Sequence, residues 1–312
     1  MKRIYCTYFD SRYLAQGIVM LRSLLRHDPA ASIQVLAFDP DCERILRATF
    51  AASICVTGAA AFHAAHPALA ALRDSRSQWA FYATHKPVFI RSILDAAPDG
   101  TLLTFIDADM WIFSDPTPVF AELESASIGL SPHRFSKAHQ RHAIYGLYNA
   151  GWMHWRADSV ARRCAAEWEL DCFDWCEATA SRGRFMNQAY LNSWPARYPG
   201  IAVLRHPGVN LAPWNLERHR LRRNSGRVLV DDQPLISFHY SGLTRHPAGP
   251  WHSLYPQPRR FNQVREAIYK PYLDAVESER LRLPDCGAGA TDAVRSWTTR
   301  PNHTEVYSPS SV

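Results

Sequence analysis

The segment Leu102–Phe113 constrains this chain most. The apolar stretch Leu102–Ile106 (LLTFI) runs straight into Asp107-Ala108-Asp109, and Met110-Trp111-Ile112-Phe113 follows. A near-continuous apolar run suits a strand buried on both faces of a parallel sheet. Open α/β sheets bind ligands just beyond the C-terminal ends of their strands, which is where these two acids fall. Residues i and i+2 of an extended strand point to the same side, so the carboxylates are expected to converge. Clustered carboxylates repel one another unless a cation sits between them, and oxygen ligands favour a hard divalent ion, Mg²⁺ or Mn²⁺. Such an ion bridges phosphate oxygens and stabilises charge on a departing diphosphate. An Asp-x-Asp is common in loops; the buried strand in front of it gives this one its weight.

The rest of the chain supplies the α/β pattern in which such a strand belongs. Arg3–Phe9 (RIYCTYF) is rich in β-branched and aromatic residues and reads as a strand. Residues 12–26 carry Leu14, Ile18, Leu21, Leu24 and Leu25 at helical spacing. Ile33–Phe38 is a second buried-strand pattern, Asp39-Pro40-Asp41 opens a helix with proline in its first turn, and Ile54–Val56 is a short strand. A long helix is expected over 79–96, interrupted at Pro87, and another over 158–178. Shorter strands are expected at Ile128–Leu130, Tyr148–Trp155, Ile201–Leu204, Arg227–Val230 and Leu235–Tyr240, with Asp231-Asp232 as a tight turn and not a catalytic pair. Strands alternating with helices up to Asp109 define an α/β fold with a mostly parallel central sheet and flanking helices. We expect a single domain over 1–283, with a nucleotide-binding half at 1–115 and a sugar and acceptor half, closed by C-terminal helices, at 116–283. The tail 284–312, poor in large apolar residues, reads as mostly disordered.

Five blocks in this order resemble the GT-A-fold (Rossmann-like) nucleotide-sugar glycosyltransferases, closest in pattern to the family-eight enzymes that use UDP-hexoses. The resemblance runs from Ile4 to about Trp251. Thr7-Tyr8-Phe9-Asp10-Ser11-Arg12-Tyr13 resembles the opening strand and loop that hold the base and ribose, which implies nucleotide contacts for Thr7, Asp10 and Tyr13. Asp107-Ala108-Asp109 matches the metal motif. Tyr148-Asn149-Ala150-Gly151 matches a strand whose Asn lies near the donor sugar, and Asn187-Gln188 resembles an Asp-Gln pair beside the anomeric carbon. His239-Tyr240-Ser241-Gly242 resembles the block whose His completes the metal site and whose following segment binds diphosphate. The resemblance thus implies catalytic roles for Asn149, Asn187 and Gln188, metal ligation by Asp107, Asp109 and His239, and retention of anomeric configuration. It also implies a UDP-linked donor, a saccharide or glycoconjugate acceptor, and a setting such as surface polysaccharide synthesis. The chain departs from the pattern twice. Asn187 replaces the family's Asp, which excludes a carboxylate nucleophile there, and no Lys-Pro-Trp follows Gly242. By chemistry rather than by motif, Arg245 or Lys86 is expected to supply positive charge to the diphosphate. An imidazole in the ligand set favours Mn²⁺ over Mg²⁺.

Composition narrows the alternatives. The chain has 312 residues, 35 Lys and Arg against 29 Asp and Glu, and a formal charge of +6. That mild excess suits a nucleotide diphosphate or an acidic membrane surface and is too scattered to mark a nucleic-acid binder. The Arg-rich stretch Arg218–Arg223 and Arg259-Arg260 read as solvated surface, with contact to anionic lipid as the other reading. Seven cysteines without a Cys-x-x-Cys pair argue against a disulfide framework and for a reducing compartment. Neither a signal-peptide stretch nor an apolar run of spanning length is seen, so a cytoplasmic protein, or one peripheral at the inner membrane face, is expected. His63/His66 and His139/His142 have metal-like spacing but no acids nearby. Two rival functions remain: a sugar nucleotidyltransferase, against which Tyr8–Tyr13 offers no glycine, and a non-catalytic nucleotide-sugar-binding relative.

Overall fold

The computed structural model describes residues 3–245, 250–255, 261–283 and 304–307. Eight strands fall before residue 204: β1 Arg3–Phe9, β2 Ser32–Ala37, β3 Cys55–Gly58, β4 Leu102–Ile106, β5 Met110–Ile112, β6 Ile128–Pro132, β7 Tyr148–Arg156 and β8 Ile201–Val203. All but β5 form one sheet in the order β3-β2-β1-β4-β7-β6-β8. Every neighbouring pair is parallel except those made by β7, which is antiparallel to β4 and to β6.

Side chains alternate across this sheet as the pleat requires. Ile4, Cys6, Leu103, Phe105, Met153 and Trp155 enter one core under the helices Gln78–Ala96 and Ser159–Asp174. Tyr5, Ile33, Val35, Ile106 and Trp152 enter the other, against the helices Leu14–His27 and Pro40–Phe50. Both faces are therefore covered, which explains why the central strands read as unbroken apolar runs. Asp39 caps the second of these helices, its Oδ1 accepting from Cys42 N at 2.9 Å, with Pro40 in the first turn as expected.

Two expectations needed adjustment. Pro87 does not interrupt its helix, which runs unbroken from Gln78 to Ala96. The helix expected to reach residue 178 stops at Asp174. Arg76 satisfies carbonyls of its last turn, donating to Cys172 O at 2.6 Å and Phe173 O at 2.5 Å. With those acceptors taken, the chain is free to leave the helix and swing back toward the sheet. Asp231 and Asp232 both have positive φ and form the expected turn, Asp231 engaging His219 and Asp232 engaging Arg220. Of the tail expected to be disordered, 304–307 form a strand beside Trp251–Ser253; the rest lies outside the described residues, as do Arg259 and Arg260. Among the described residues no helix is long and apolar enough to cross a membrane.

Candidate metal and nucleotide site

The acids do not sit on the strand itself. Asp107, Ala108 and Asp109 form the turn between β4 and β5, so their convergence comes from the turn and not from the pleat. Two neighbouring segments fix that turn. Asp107 N donates to Gly151 O of β7 at 2.8 Å, and Tyr240 N donates to Asp109 O at 2.8 Å. β5 pairs antiparallel with the strand Ser237–His239, placing His239 opposite Met110. Residues far apart in sequence are thereby zipped into one cluster. Asp107, Asp109 and His239 each present a ligand atom, all within 4.8 Å of one another. Among the described residues this is the one such group of His, Cys, Asp and Glu; His63 meets His85, their Nε2 atoms 2.8 Å apart, but neither the His63/His66 nor the His139/His142 pair forms such a group.

These three groups could hold a cation. His239 Nε2 faces Asp109 Oδ1 at 3.1 Å and Asp107 Oδ2 at 4.0 Å. Its Nδ1 meets Asn210 Oδ1 at 3.2 Å. Asn210 donates its own amide to Asn149 Oδ1, which leaves Asn210 Oδ1 to accept from Nδ1–H and frees Nε2 for a metal, the outer-shell arrangement usual for a ligating histidine. Burial would lower the His239 pKa, but the charges of Asp109 and then Asp107 raise it instead. Burial would likewise raise the Asp109 carboxyl, and the His239 charge holds it below its ordinary value. Gly151 leaves the necessary room. A Cβ there would lie 2.5 Å from Asp107 Oδ2, 2.7 Å from Asn149 Oδ1 and 2.8 Å from His239 Cε1. Two carboxylates and one imidazole fit a hard to borderline divalent ion.

Lys86 reaches the same place from the helix Gln78–Ala96. Its Nζ donates to Asp107 Oδ1 and to Ala150 O, both at 2.9 Å. It is almost fully buried. A buried ammonium persists only when paired, so Lys86 and Asp107 hold each other in position.

Beside the acids opens a cavity of about 270 Å³. Tyr8, Phe38 and Tyr82 form its aromatic wall, Phe38 and Tyr82 stacked at 4.0 Å and Trp79 exposed at the rim. Asp10, Arg12 and Tyr13 line the same cavity, and Asn187 and Gln188 line it from another segment. An aromatic wall leading to a cluster of two carboxylates and an imidazole could accommodate a base and a diphosphate in one ligand. Phe38, Tyr82 and Trp79 were not singled out from the sequence; Phe38 is hidden in an apolar run and Tyr82 in a helix pattern.

The remaining expected residues divide. Asp10 lines the cavity but already accepts from Arg12 Nε at 2.7 Å and Arg12 N at 3.0 Å. Thr7 is buried in β1 and is not among the lining residues. Gly242 serves a turn at φ +73. Arg245, expected at the diphosphate, is ion-paired to Glu277 at 2.9 Å, a carboxylate that also accepts from Trp251 Nε1, and it does not line the cavity. The cation beside the acids is Lys86. Asn149 and Gln188 hold each other: Gln188 Oε1 accepts from Asn149 Nδ2 at 3.2 Å and Ala150 N at 3.1 Å. Asn187 donates its amide to Ala83 O at 2.8 Å and also contacts the Tyr8 hydroxyl. Beyond these residues, Trp214 is buried edge-on to His239.

A two-sided, mostly parallel sheet with an Asp-x-Asp turn at the end of a central strand defines the GT-A glycosyltransferase fold, and solved structures bear this out. The chain is similar to the galactosyltransferase LgtC, solved in complex with donor and acceptor sugar analogs. The TM-score is 0.54 at 15% identity, covering 88% of this chain and 95% of that one. The bifunctional WbbM superposes with a TM-score of 0.54 at 13% identity over 88% of this chain and 49% of its own. GlyE of Streptococcus pneumoniae TIGR4 gives 0.51 at 14% identity, over 100% and 66%. In sequence the chain is 28% identical to the uncharacterized protein YfnF of Bacillus subtilis (strain 168) over 250 residues, 78% of this chain and 82% of that one. It is 29% identical to YfnD of the same organism over 210 residues, 66% and 68%. No family model matches.

Proposed function

We propose that this chain is a metal-dependent glycosyltransferase acting through residues 1–283 as one domain. It moves a hexose from a nucleotide-diphosphate sugar, UDP-linked, to a saccharide or glycoconjugate acceptor. The observation that carries this reading is the convergence of Asp107, Asp109 and His239 at the mouth of the aromatic cavity. When bound there, Mn²⁺ or Mg²⁺ supplies positive charge to the leaving diphosphate. The protein's own groups do the rest. The aromatic wall stacks the base, and Lys86 orients Asp107 and adds a fixed positive charge. Gln188 and Asn149, locked to each other, present a rigid amide edge to the sugar. The fold neighbours are glycosyltransferases, and LgtC was solved in complex with donor and acceptor sugar analogs; both support the reading.

The test is donor hydrolysis with a panel of nucleotide sugars, with and without Mn²⁺, on wild type and Asp109→Ala. Metal-dependent release of nucleoside diphosphate from one donor, lost in the variant, is expected. Asn187, with its amide committed to Ala83, supports a second reading: a nucleotide-sugar-binding relative without turnover. Metal-dependent nucleotide binding with no release and no transfer across an acceptor panel would favour it. Absence of both nucleotide and metal binding would overturn both readings.

A further inference from the structure

Pro87 lies in the middle of the helix Gln78–Ala96. A proline there has no N–H to give the carbonyl four residues back, and that carbonyl belongs to Ala83. A buried carbonyl without a donor is costly. Asn187 meets the need from another segment, Nδ2 donating to Ala83 O at 2.8 Å. Asn187 is itself buried and anchored, its backbone carbonyl accepting from Trp168 Nε1 at 2.8 Å. The next residue, Gln188, grips Asn149 and Ala150 N. Ala150 O in turn accepts from Lys86, the residue before Pro87, whose other contact is Asp107. The contacts close a circuit from the helix proline to the acidic cluster and back.

We propose that Asn187 is a positioning residue whose amide completes the helix opened by Pro87, and that this pairing sets Gln188 and Lys86 at the cavity. The side chain at 187 must then be a donor. An ionised carboxylate has only acceptors and would face the Ala83 carbonyl with nothing to offer. Asparagine at this position is the consequence of proline in the facing helix. The catalytic part of this inference rests on the donor-site reading; the pairing itself does not.

The experiment is a two-by-two cycle of Pro87→Ala and Asn187→Asp, with Asn187→Ala as a second probe that adds no charge. Alanine at 87 restores the N–H and suits a helix interior, so Ala83 O regains a helical donor. Two readouts are taken: thermal midpoint, and kcat and KM for the donor. In the wild-type background Asn187→Asp is expected to lower the midpoint and to reduce kcat by roughly tenfold, with a smaller change in KM. In the Pro87→Ala background the same change should cost under about threefold, since contacting residues couple non-additively. Equal loss in both backgrounds, or no loss in wild type, overturns the pairing. If no variant turns over any nucleotide sugar, the donor-site reading fails, while the thermal cycle still decides the pairing.

Discussion

Two polar clusters lie back to back in this protein and are held in opposite ways. On one side are Asp107, Asp109 and His239, with Lys86 as their buried cation. On the other are the amides of Asn149, Gln188 and Asn210. In the amide cluster the donors and acceptors are matched internally: Asn149 with Gln188 and Asn210, and Gln188 also with Tyr145 O and Ala150 N. A satisfied network gains little from a ligand and serves as scaffold. The charged cluster has carboxylates in excess of fixed cations and gains from a further positive charge. Function is therefore expected to respond most strongly to changes in the charged cluster, and to changes in the amide cluster through that cluster and through the edge Gln188 presents at the cavity.

The most severe break in that contrast is Asp109→Ala. It removes a ligand from the charged cluster and leaves the amides intact. Turnover is expected to fall at least as far as on losing one charge-stabilising donor, roughly 10²–10³-fold. Metal binding measured by calorimetry should vanish while the circular dichroism spectrum is retained. A variant that kept metal-dependent turnover would separate the acids from the chemistry.

Gly151→Ala acts at the seam. A methyl group would press on Asp107 Oδ2, Asn149 Oδ1 and His239 Cε1 together, so both clusters must give way. Overpacking of this kind costs about 1–3 kcal/mol, and metal affinity should fall with it. Calorimetry with Mn²⁺ and a thermal melt on the same sample check both. Loss of stability without loss of metal affinity would show that the seam does not transmit.

Asn210→Leu tests transmission from the amide side alone. It deletes the acceptor for His239 Nδ1 and the donor to Asn149 Oδ1 without touching a carboxylate. Outer-shell changes of this type cost about 10–100-fold in metal affinity or activity. A weaker Kd for Mn²⁺ with an unchanged Kd for metal-free nucleotide is expected. Equal weakening of both would place Asn210 in nucleotide recognition instead.

The contrast also marks what the sequence made legible. The parallel half could be read because strands covered on both faces leave apolar runs, and β1 and β4 fall at the bounds expected from RIYCTYF and LLTFI. Asp107 and Asp109 could be named because Asp-x-Asp after a buried strand is chemically conspicuous, whereas His239 was named only through the family resemblance. The amide network was only partly legible: Asn149 and Gln188 stand in recognisable blocks, but Asn210 stands in an unremarkable loop, and its role depends on the register that sets His239 opposite Met110. The aromatic wall was hidden for a different reason, since Phe38 and Tyr82 look like core residues until two segments bring them into a stack. Charge alone cannot tell a phosphate ligand from an ion-pair partner: Arg245 engages Glu277, while Lys86 reaches Asp107.

The smallest expected effect separates the clusters by proton rather than by mutation. The His239 pKa is raised in the folded, metal-free protein, with burial opposed by Asp109 and Asp107. A raised folded pKa means the pair's contribution to stability is fully present below the unfolded value of about 6.5 and is lost as pH rises through the folded value. Asp109, held low, contributes the opposite limb: its share is present above the unfolded carboxylate pKa and is lost as pH falls through the folded one. Metal must displace the His239 proton, so affinity should rise with pH where metal-free stability falls, by at most about tenfold per pH unit for one proton. Melts from about pH 6 to 8.5 in EDTA and in Mn²⁺ should therefore diverge, the first midpoint falling and the second holding or rising. The amides have no proton to lose in this range and contribute to neither slope. Parallel curves would mean that His239 is neutral throughout and that the ion pair with Asp109 is not what holds the metal-free cluster.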